Sequence, residues 1–132
     1  MKSQEEILGG KNILIVDDDA RNTFALSSYL EEIGMKIYFA ENGFQAIDFL
    51  ADNDNIEIIL MDMMMPEMDG YEAMHKIKNN KATNQIPIIA VTAKAMKGDR
   101  EKCLGAGAFE YVSKPVDTKE LLEKIVQAIQ MK

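Results

Sequence analysis

The sequence predicts an α/β fold, a doubly wound five-stranded parallel sheet in the order 2-1-3-4-5 with five helices. Three observations carry it. Short apolar runs rich in isoleucine and valine alternate, five times, with segments whose apolar residues recur every three or four positions. Strict alternation of this kind implies parallel strands joined by right-handed crossovers, with helices on both faces of the sheet. Four of the five apolar runs also end on polar chemistry, at Asp17, Asp62, Thr92 and Lys114. A strand buried on both faces has no use for such residues until its carboxyl end emerges from the sheet.

The bulk numbers suit one globular domain. A chain of 132 residues can bury roughly two-thirds of its unfolded surface. Its hydrophobic share of 47% and charged share of 28% are ordinary. Acidic residues outnumber basic ones by 22 to 15, for a net charge of −7, which disfavours binding to nucleic acid or anionic lipid. Cys103 is the single cysteine, so neither an internal disulfide nor a cysteine metal cage is available. Apolar runs fall short of the ~20 residues that span a bilayer. The polar, acidic start lacks a signal-peptide core, and a cytoplasmic setting is expected.

In chain order, residues 1–10 read as a partly ordered leader, ahead of a domain over 11–132. Asn12–Val16 is the first strand, ending in Asp17, Asp18 and Asp19. From about Ala20 the spacing of Leu26, Tyr29, Leu30 and Ile33 predicts a helix closing at Gly34. Lys36–Ala40 is the second strand, and Asn42 with Gln45 has capping-box spacing for the next helix, through Ala46, Ile47 and Leu50. After the turn cluster 52–55 the third strand, about 57–61, delivers Asp62. Asp69 and Glu72 cap a third helix with Tyr71, Met74 and Ile77 on its inner face. Residues 86–91 form a strand ending at Thr92. A weakly apolar fourth helix follows over 94–104, with Gly98 inside it at a cost of about 1 kcal/mol, and it is expected to be the loosest. Residues 108–112 are the fifth strand, before Ser113, Lys114 and Pro115. Asp117 and Glu120 cap a last helix whose inner face is Leu121, Leu122, Ile125 and Ile129.

In open parallel sheets ligands bind outside the carboxyl ends of the strands where the strand order reverses. For the order 2-1-3-4-5 that point falls between strands 1 and 3, which end in Asp17, Asp18 and Asp62. Topology alone therefore gathers three carboxylates in one crevice, and Thr92 and Lys114 join them from strands 4 and 5. Crowded carboxylates need a cation or raised pKa values. Lys114 supplies one positive charge, and Mg2+, which favours one or two carboxylates plus waters and phosphate oxygens, would supply the rest. A carboxylate can attack a phosphoryl group to form an aspartyl phosphate, with Mg2+, Lys114 and the Thr92 hydroxyl stabilising its oxygens.

Singly, each residue has a plainer reading. Asp17 to Asp19 suit helix caps, Thr92 a loop, Lys114 a solvated surface and Tyr111 the rim of the core. The coincidence of four strand ends argues for a site. Elsewhere the plain readings stand: the methionines of 61–68 as adaptable packing, His75 as a solvated helix residue and Cys103 as a small buried side chain. Gly105 and Gly107 precede a strand, the wrong context for a dinucleotide loop.

From Lys11 to Met131 the chain resembles the receiver domain of two-component response regulators, a flavodoxin-like receiver fold. The resemblance rests on Ile15-Val16-Asp17-Asp18, Met61 to Pro66, Met68-Asp69-Gly70, Val91-Thr92-Ala93 and Ser113 to Val116. It implies that Asp62 is the phosphoacceptor, that Asp17, Asp18, Asp62 and the backbone carbonyl of Met64 hold Mg2+, and that Thr92 and Lys114 contact the phosphoryl group. It further implies that Tyr111 is a switch aromatic and that the Lys114-Pro115 bond is cis. The implied partner is a sensor histidine kinase or histidine phosphotransfer domain. The face of the fourth helix, fifth strand and fifth helix is the implied surface for partners or a second copy, with no direct nucleic-acid contact and no membrane insertion. Asp19 with Asn22, and Ala93 to Arg100, resemble receivers of hybrid sensor histidine kinases, and the polar leader suits a piece of such a parent. The chain departs from the usual pattern at Met64, whose apolar side chain is expected to hinder water and prolong the phosphorylated state.

The implied protein is a switch, with self-phosphorylation and self-dephosphorylation as its only chemistry. An aspartate-nucleophile phosphatase is the enzyme alternative, but it needs a second acid where Met64 stands. A flavodoxin-like flavin binder is another, but the loop after the first strand is acidic where a phosphate cradle is rich in Ser, Thr and Gly.

Overall fold

The computed structural model describes residues 3–65, 68–93 and 98–131. Five parallel strands, β1 (Asn12–Val16), β2 (Lys36–Ala40), β3 (Ile58–Asp62), β4 (Ile88–Thr92) and β5 (Glu110–Ser113), form one sheet in the predicted order β2-β1-β3-β4-β5. Around it lie α1 (Gln4–Leu8), α2 (Ala20–Ile33), α3 (Gly43–Asp52), α4 (Gly70–Lys78), α5 (Asp99–Gly105) and α6 (Thr118–Gln130). The described helices thus number six rather than five, the extra one being α1 within the expected leader.

Every residue of β3 and β4 is buried, because strands central to a doubly covered sheet bury both faces. Alternation then sorts their side chains into two cores. Ile59, Met61, Ile88 and Ala90 join Ala46 and Leu50 of α3, Met74 and Ile77 of α4 and Cys103 of α5. Ile58, Leu60, Ile89 and Val91 join Leu26 and Leu30 of α2 and Leu121, Leu122 and Ile125 of α6.

The predicted caps are in place. Asn42 accepts the Gln45 amide at 2.8 Å, Asp69 the Glu72 amide at 2.9 Å and Asp117 the Lys119 amide at 2.9 Å. The Gln45 side chain reaches back to the Glu41 amide, at 2.9 Å.

Strand boundaries shift by one or two residues. β3 and β4 extend through Asp62 and Thr92, so both site residues end their strands rather than follow them. The fourth strand opens at Ile88, not Ile86, because the Ile86 amide closes a turn onto the Thr83 carbonyl at 3.1 Å and Pro87 has no amide hydrogen. β5 opens at Glu110 because the Ala108 amide turns back to the Cys103 carbonyl at 3.1 Å. Gly98 is not inside a helix. It precedes α5 with φ 91°, a left-handed conformation glycine adopts without strain, so the interior-helix cost does not arise. Residues 94–97 of the predicted fourth helix lie outside the described residues.

α1 is closed by a capping box, in which Ser3 Oγ accepts the Glu6 amide at 3.1 Å and Glu6 Oε1 accepts the Ser3 amide at 3.5 Å. It packs beside α6 and α2, with Leu8 fully buried in the second core. Leu8→Ala should therefore cost about 2–5 kcal/mol in urea unfolding. A loss below about 0.5 kcal/mol, typical of a surface change, would show that α1 rests on the fold without supporting it.

Candidate functional site

β1 pairs with β3 so that Val16 lies opposite Met61. The next residues, Asp17 and Asp62, consequently emerge side by side at the carboxyl edge, where the sheet order reverses. Both are buried, at 6% and 3% exposure, whereas Asp18 is exposed. Lys114, one residue past β5, sets its Nζ between them, 3.5 Å from Asp17 Oδ2 and 3.6 Å from Asp62 Oδ2. Its own amide donates to the Thr92 carbonyl at 2.7 Å, tying the strand 5 end to the strand 4 end. Thr92 is buried at the end of β4 opposite Ser113, and the Lys114-Pro115 bond is cis. Tyr111, opposite Ala90, is half-buried against the first core. The structure thus brings Asp17, Asp18, Asp62, Thr92 and Lys114 to one edge and places Tyr111 on the adjoining strand.

Further donors hold the carboxylates. Asp17 Oδ1 accepts the Asp19 amide at 2.8 Å and Asp17 Oδ2 accepts Asn22 Nδ2 at 2.6 Å. Asp62 Oδ1 accepts the Met64 amide at 3.0 Å. Asn22 was legible in the sequence only as a family flavour; its place one turn into α2, five residues past Asp17, was the available signal.

Close packing supports the edge from beneath. A Cβ built on Gly70 would meet the Asp62 carbonyl oxygen at 2.8 Å and Met63 Cα at 2.7 Å. The first residue of α4 therefore lies directly on the backbone that carries Asp62, as only glycine allows. Met61, Met63, Met65 and Met68 are buried, but Met64 is 67% exposed. The packing role expected of the methionines holds for those four, and Met64 stands apart at the site. Cys103 is buried, 3.7 Å from the Tyr71 hydroxyl, and His75 is exposed.

The electrostatics follow from burial. The Asp62 carboxyl is pushed up to about 6, first by burial and then by the Asp17 and Asp18 charges, against the Met64 amide and Lys114. One carboxylate oxygen from each of Asp17, Asp18 and Asp62 lies within 4.8 Å of the others. Three oxygen donors with a surplus of negative charge, one of them open to solvent, fit a hard divalent cation such as Mg2+.

Beside Asp17 and Asp18 a cavity of about 300 Å3 opens between α2 and β2, where Phe24 and Phe39 are exposed. Sequence reasoning did not single out these phenylalanines, since an apolar residue on an otherwise regular element signals nothing by itself.

Residues 13–126 match the response regulator receiver domain family, and the chain belongs to it. It is 42% identical over 113 residues, 86% of its length, to the "Probable transcriptional regulator ycf29" of Pyropia yezoensis. The chain spans 50% of that relative, and 7% and 12% of two histidine kinases that it also matches. Among solved structures it is similar to the receiver domain of a Pseudomonas aeruginosa sensor histidine kinase, with 35% identity, a TM-score of 0.82 and coverage of 94% of this chain and 100% of that one. That domain was solved with a magnesium ion coordinated in its active-site cleft. It is also similar to the Saccharomyces cerevisiae complex of the phosphotransfer protein Ypd1 and the receiver domain of Ssk1, with 28% identity, a TM-score of 0.85 and coverage of 94% and 92%. The chain is therefore a receiver domain of two-component systems, and receiver domains are signalling switches.

Because the folded Asp62 carboxyl titrates above its unfolded value of 3.8, the native state binds its proton more tightly. The metal-free fold loses stability from this group as pH rises through about 6. Asp62→Asn should therefore raise the unfolding free energy measured in urea at pH 7 by up to about 3 kcal/mol, and by about half as much at pH 5. Equal gains at both pH values would show that buried charge is not the cause.

Proposed function

We propose that this receiver accepts a phosphoryl group on Asp62 from a phosphohistidine of a sensor histidine kinase or histidine phosphotransfer domain. The supporting observation is the buried Asp62 carboxylate, within 4.8 Å of oxygens of Asp17 and Asp18 and 3.6 Å from Lys114 Nζ. An Asp62 oxygen attacks phosphorus, the P–N bond breaks, and its electron pair stays on the imidazole nitrogen, which takes up a proton. Asp17, Asp18, Asp62 and the Met64 carbonyl would hold Mg2+, which supplies positive charge against the carboxylates and phosphoryl oxygens.

The chain's own groups do the rest. Lys114 already bridges Asp17 and Asp62, so it can follow charge from carboxylate to phosphoryl oxygen without leaving its place. The Thr92 hydroxyl turns toward the phosphoryl group, and Tyr111 moves into the space it leaves. Those shifts act on α5, β5 and α6, the proposed surface for partners or a second copy. Residues 1–10 are read as a leader to the receiver at 11–132, and the setting as cytoplasmic; among the described residues no helix is long and apolar enough to cross a membrane.

Incubation with a small phosphodonor and Mg2+ should add the mass of one phosphoryl group to the intact protein. Asp62→Asn should abolish it, and equal labelling of that variant would overturn the assignment. Met64 projects into solvent beside the acceptor, where it hinders the water that hydrolyses the acyl phosphate. Met64→Asn should shorten the phosphorylated half-life by roughly ten-fold, a barrier change of about 1.4 kcal/mol. An unchanged half-life would remove Met64 as the timer.

A further inference from the structure

β5 is an edge strand, paired with β4 on one side only. An edge leaves backbone N–H and C=O groups pointing outward. The Lys114 amide donates across to Thr92 of β4, so Tyr111, out of phase with it, turns its backbone groups to the open side. Both are taken by side chains. Glu110 Oε1 accepts the Tyr111 amide at 3.0 Å, and Lys124 Nζ of α6 donates to the Tyr111 carbonyl at 2.6 Å. The same ammonium lies 5.6 Å from the centre of the Tyr111 ring, 3.2 Å from Glu120 Oε1 and 4.0 Å from Glu110 Oε1. Arg100 of α5 grips Glu110 with two bonds, Nε to Oε1 at 3.1 Å and Nη2 to Oε2 at 3.2 Å. Burial pushes the Glu110 carboxyl up, but Arg100, the Tyr111 amide and Lys124 together hold it below the usual range.

We propose that Lys124, seconded by Glu110 and Arg100, is a positioning residue for Tyr111. It clamps the tyrosine at the strand edge in the unphosphorylated protein and so sets how readily the switch responds. The inference rests on the reading of Asp62, Thr92 and Tyr111 given above. Neutral backbone groups on an edge would otherwise be solvated and free to shift with the strand. Here shifting the Tyr111 backbone means breaking a charge-assisted bond, and turning its ring means drawing it away from a cation. Because Lys124, Glu110 and Arg100 stand on α6, β5 and α5, the clamp also couples these elements at the aromatic residue that follows Thr92 in the switch. A state that releases Tyr111 is then disfavoured until loading of Asp62 draws Thr92 away.

Fluorotyrosine labelling and 19F NMR test this, with Tyr111→Phe assigning its signal among the four tyrosines. In the wild type the Tyr111 signal should move when Mg2+ and beryllium fluoride, a phosphoryl analogue, are added. In Lys124→Met it should lie part-way to the loaded position beforehand, and half-saturation should need about two-fold less beryllium fluoride or lower still. Lys124→Arg keeps a cationic donor and should restore both, while Glu110→Gln, which frees Arg100 but keeps an acceptor, should give a smaller displacement. A purely structural lysine would lower the unfolding midpoint and leave the signal and half-saturation unmoved, which would overturn the clamp and leave the site standing. A displacement that Lys124→Arg does not correct would also overturn it. A wild-type Tyr111 signal indifferent to loading would instead overturn the reading of the switch, and the clamp with it.

Discussion

Two carboxylates from neighbouring strands are buried at one sheet edge with a single ammonium between them. Like charges about 4 Å apart repel by about 4 kcal/mol at the effective dielectric of a protein surface, and more as water is excluded. Lys114, at 3.5 and 3.6 Å from Asp17 and Asp62, offsets part of that. The Asp19 and Met64 amides and the Asn22 amide group take further lone pairs. Burial first, and then the repulsion that remains, lift the Asp62 carboxyl to about 6. An edge built this way is a standing deficit of positive charge. It lowers the stability of the metal-free fold and for the same reason favours a divalent ion. Local rules that otherwise agree are broken here for function.

The rest of the fold makes that deficit tolerable. Parallel strands buried on both faces fix Asp17 and Asp62 through the pairing of Val16 with Met61. A one-residue slip would turn every side chain of β3 to the wrong core, so the register of the charge is as firm as that of the core. Gly70 lets α4 start against the Asp62 backbone, and the buried methionines fill the irregular space beneath the loop.

Much of this was legible in the sequence because it is local. Apolar period, caps at Asn42, Asp69 and Asp117, and polar residues at strand ends are written within a few positions of one another. Alternation implied parallel strands, and with the order 2-1-3-4-5 their ends gathered Asp17, Asp18, Asp62, Thr92 and Lys114 without contact information. What escaped left no periodic signal or depended on distant partners. α1 has five residues, too few for a period, and its Ser3 and Glu6 capping box is a weak signal beside the burial of Leu8. The shortened start of the fourth strand depends on where the Ile86 amide goes, and Gly98 became a left-handed entry to α5 because the helix begins after it. Arg100, Glu110 and Lys124 lie on three elements, so as letters they are ordinary surface charges.

The two ends of the proposed switch share one strand, and its period joins them. In β5 and the residue after it, backbone groups alternate between β4 and the open edge. Lys114 uses the inner side, its amide on Thr92 and its ammonium on the carboxylates. Tyr111 uses the outer side, its amide and carbonyl held by Glu110 and Lys124. A strand paired on both sides could not do this, because its outer groups would be committed to another strand. Only an edge strand lets a side chain of α6 take hold of the backbone directly, while α5 acts on it through Glu110. Under the proposed function, charge arriving at Asp62 acts on Lys114 and Thr92 at the inner side, and any resulting displacement of β5 has to be accommodated by the ion pairs at the outer side. Placing the lysine that faces the carboxylates just past the edge strand, rather than past β1 or β3, is what puts the chemistry and the partner surface within three residues of each other.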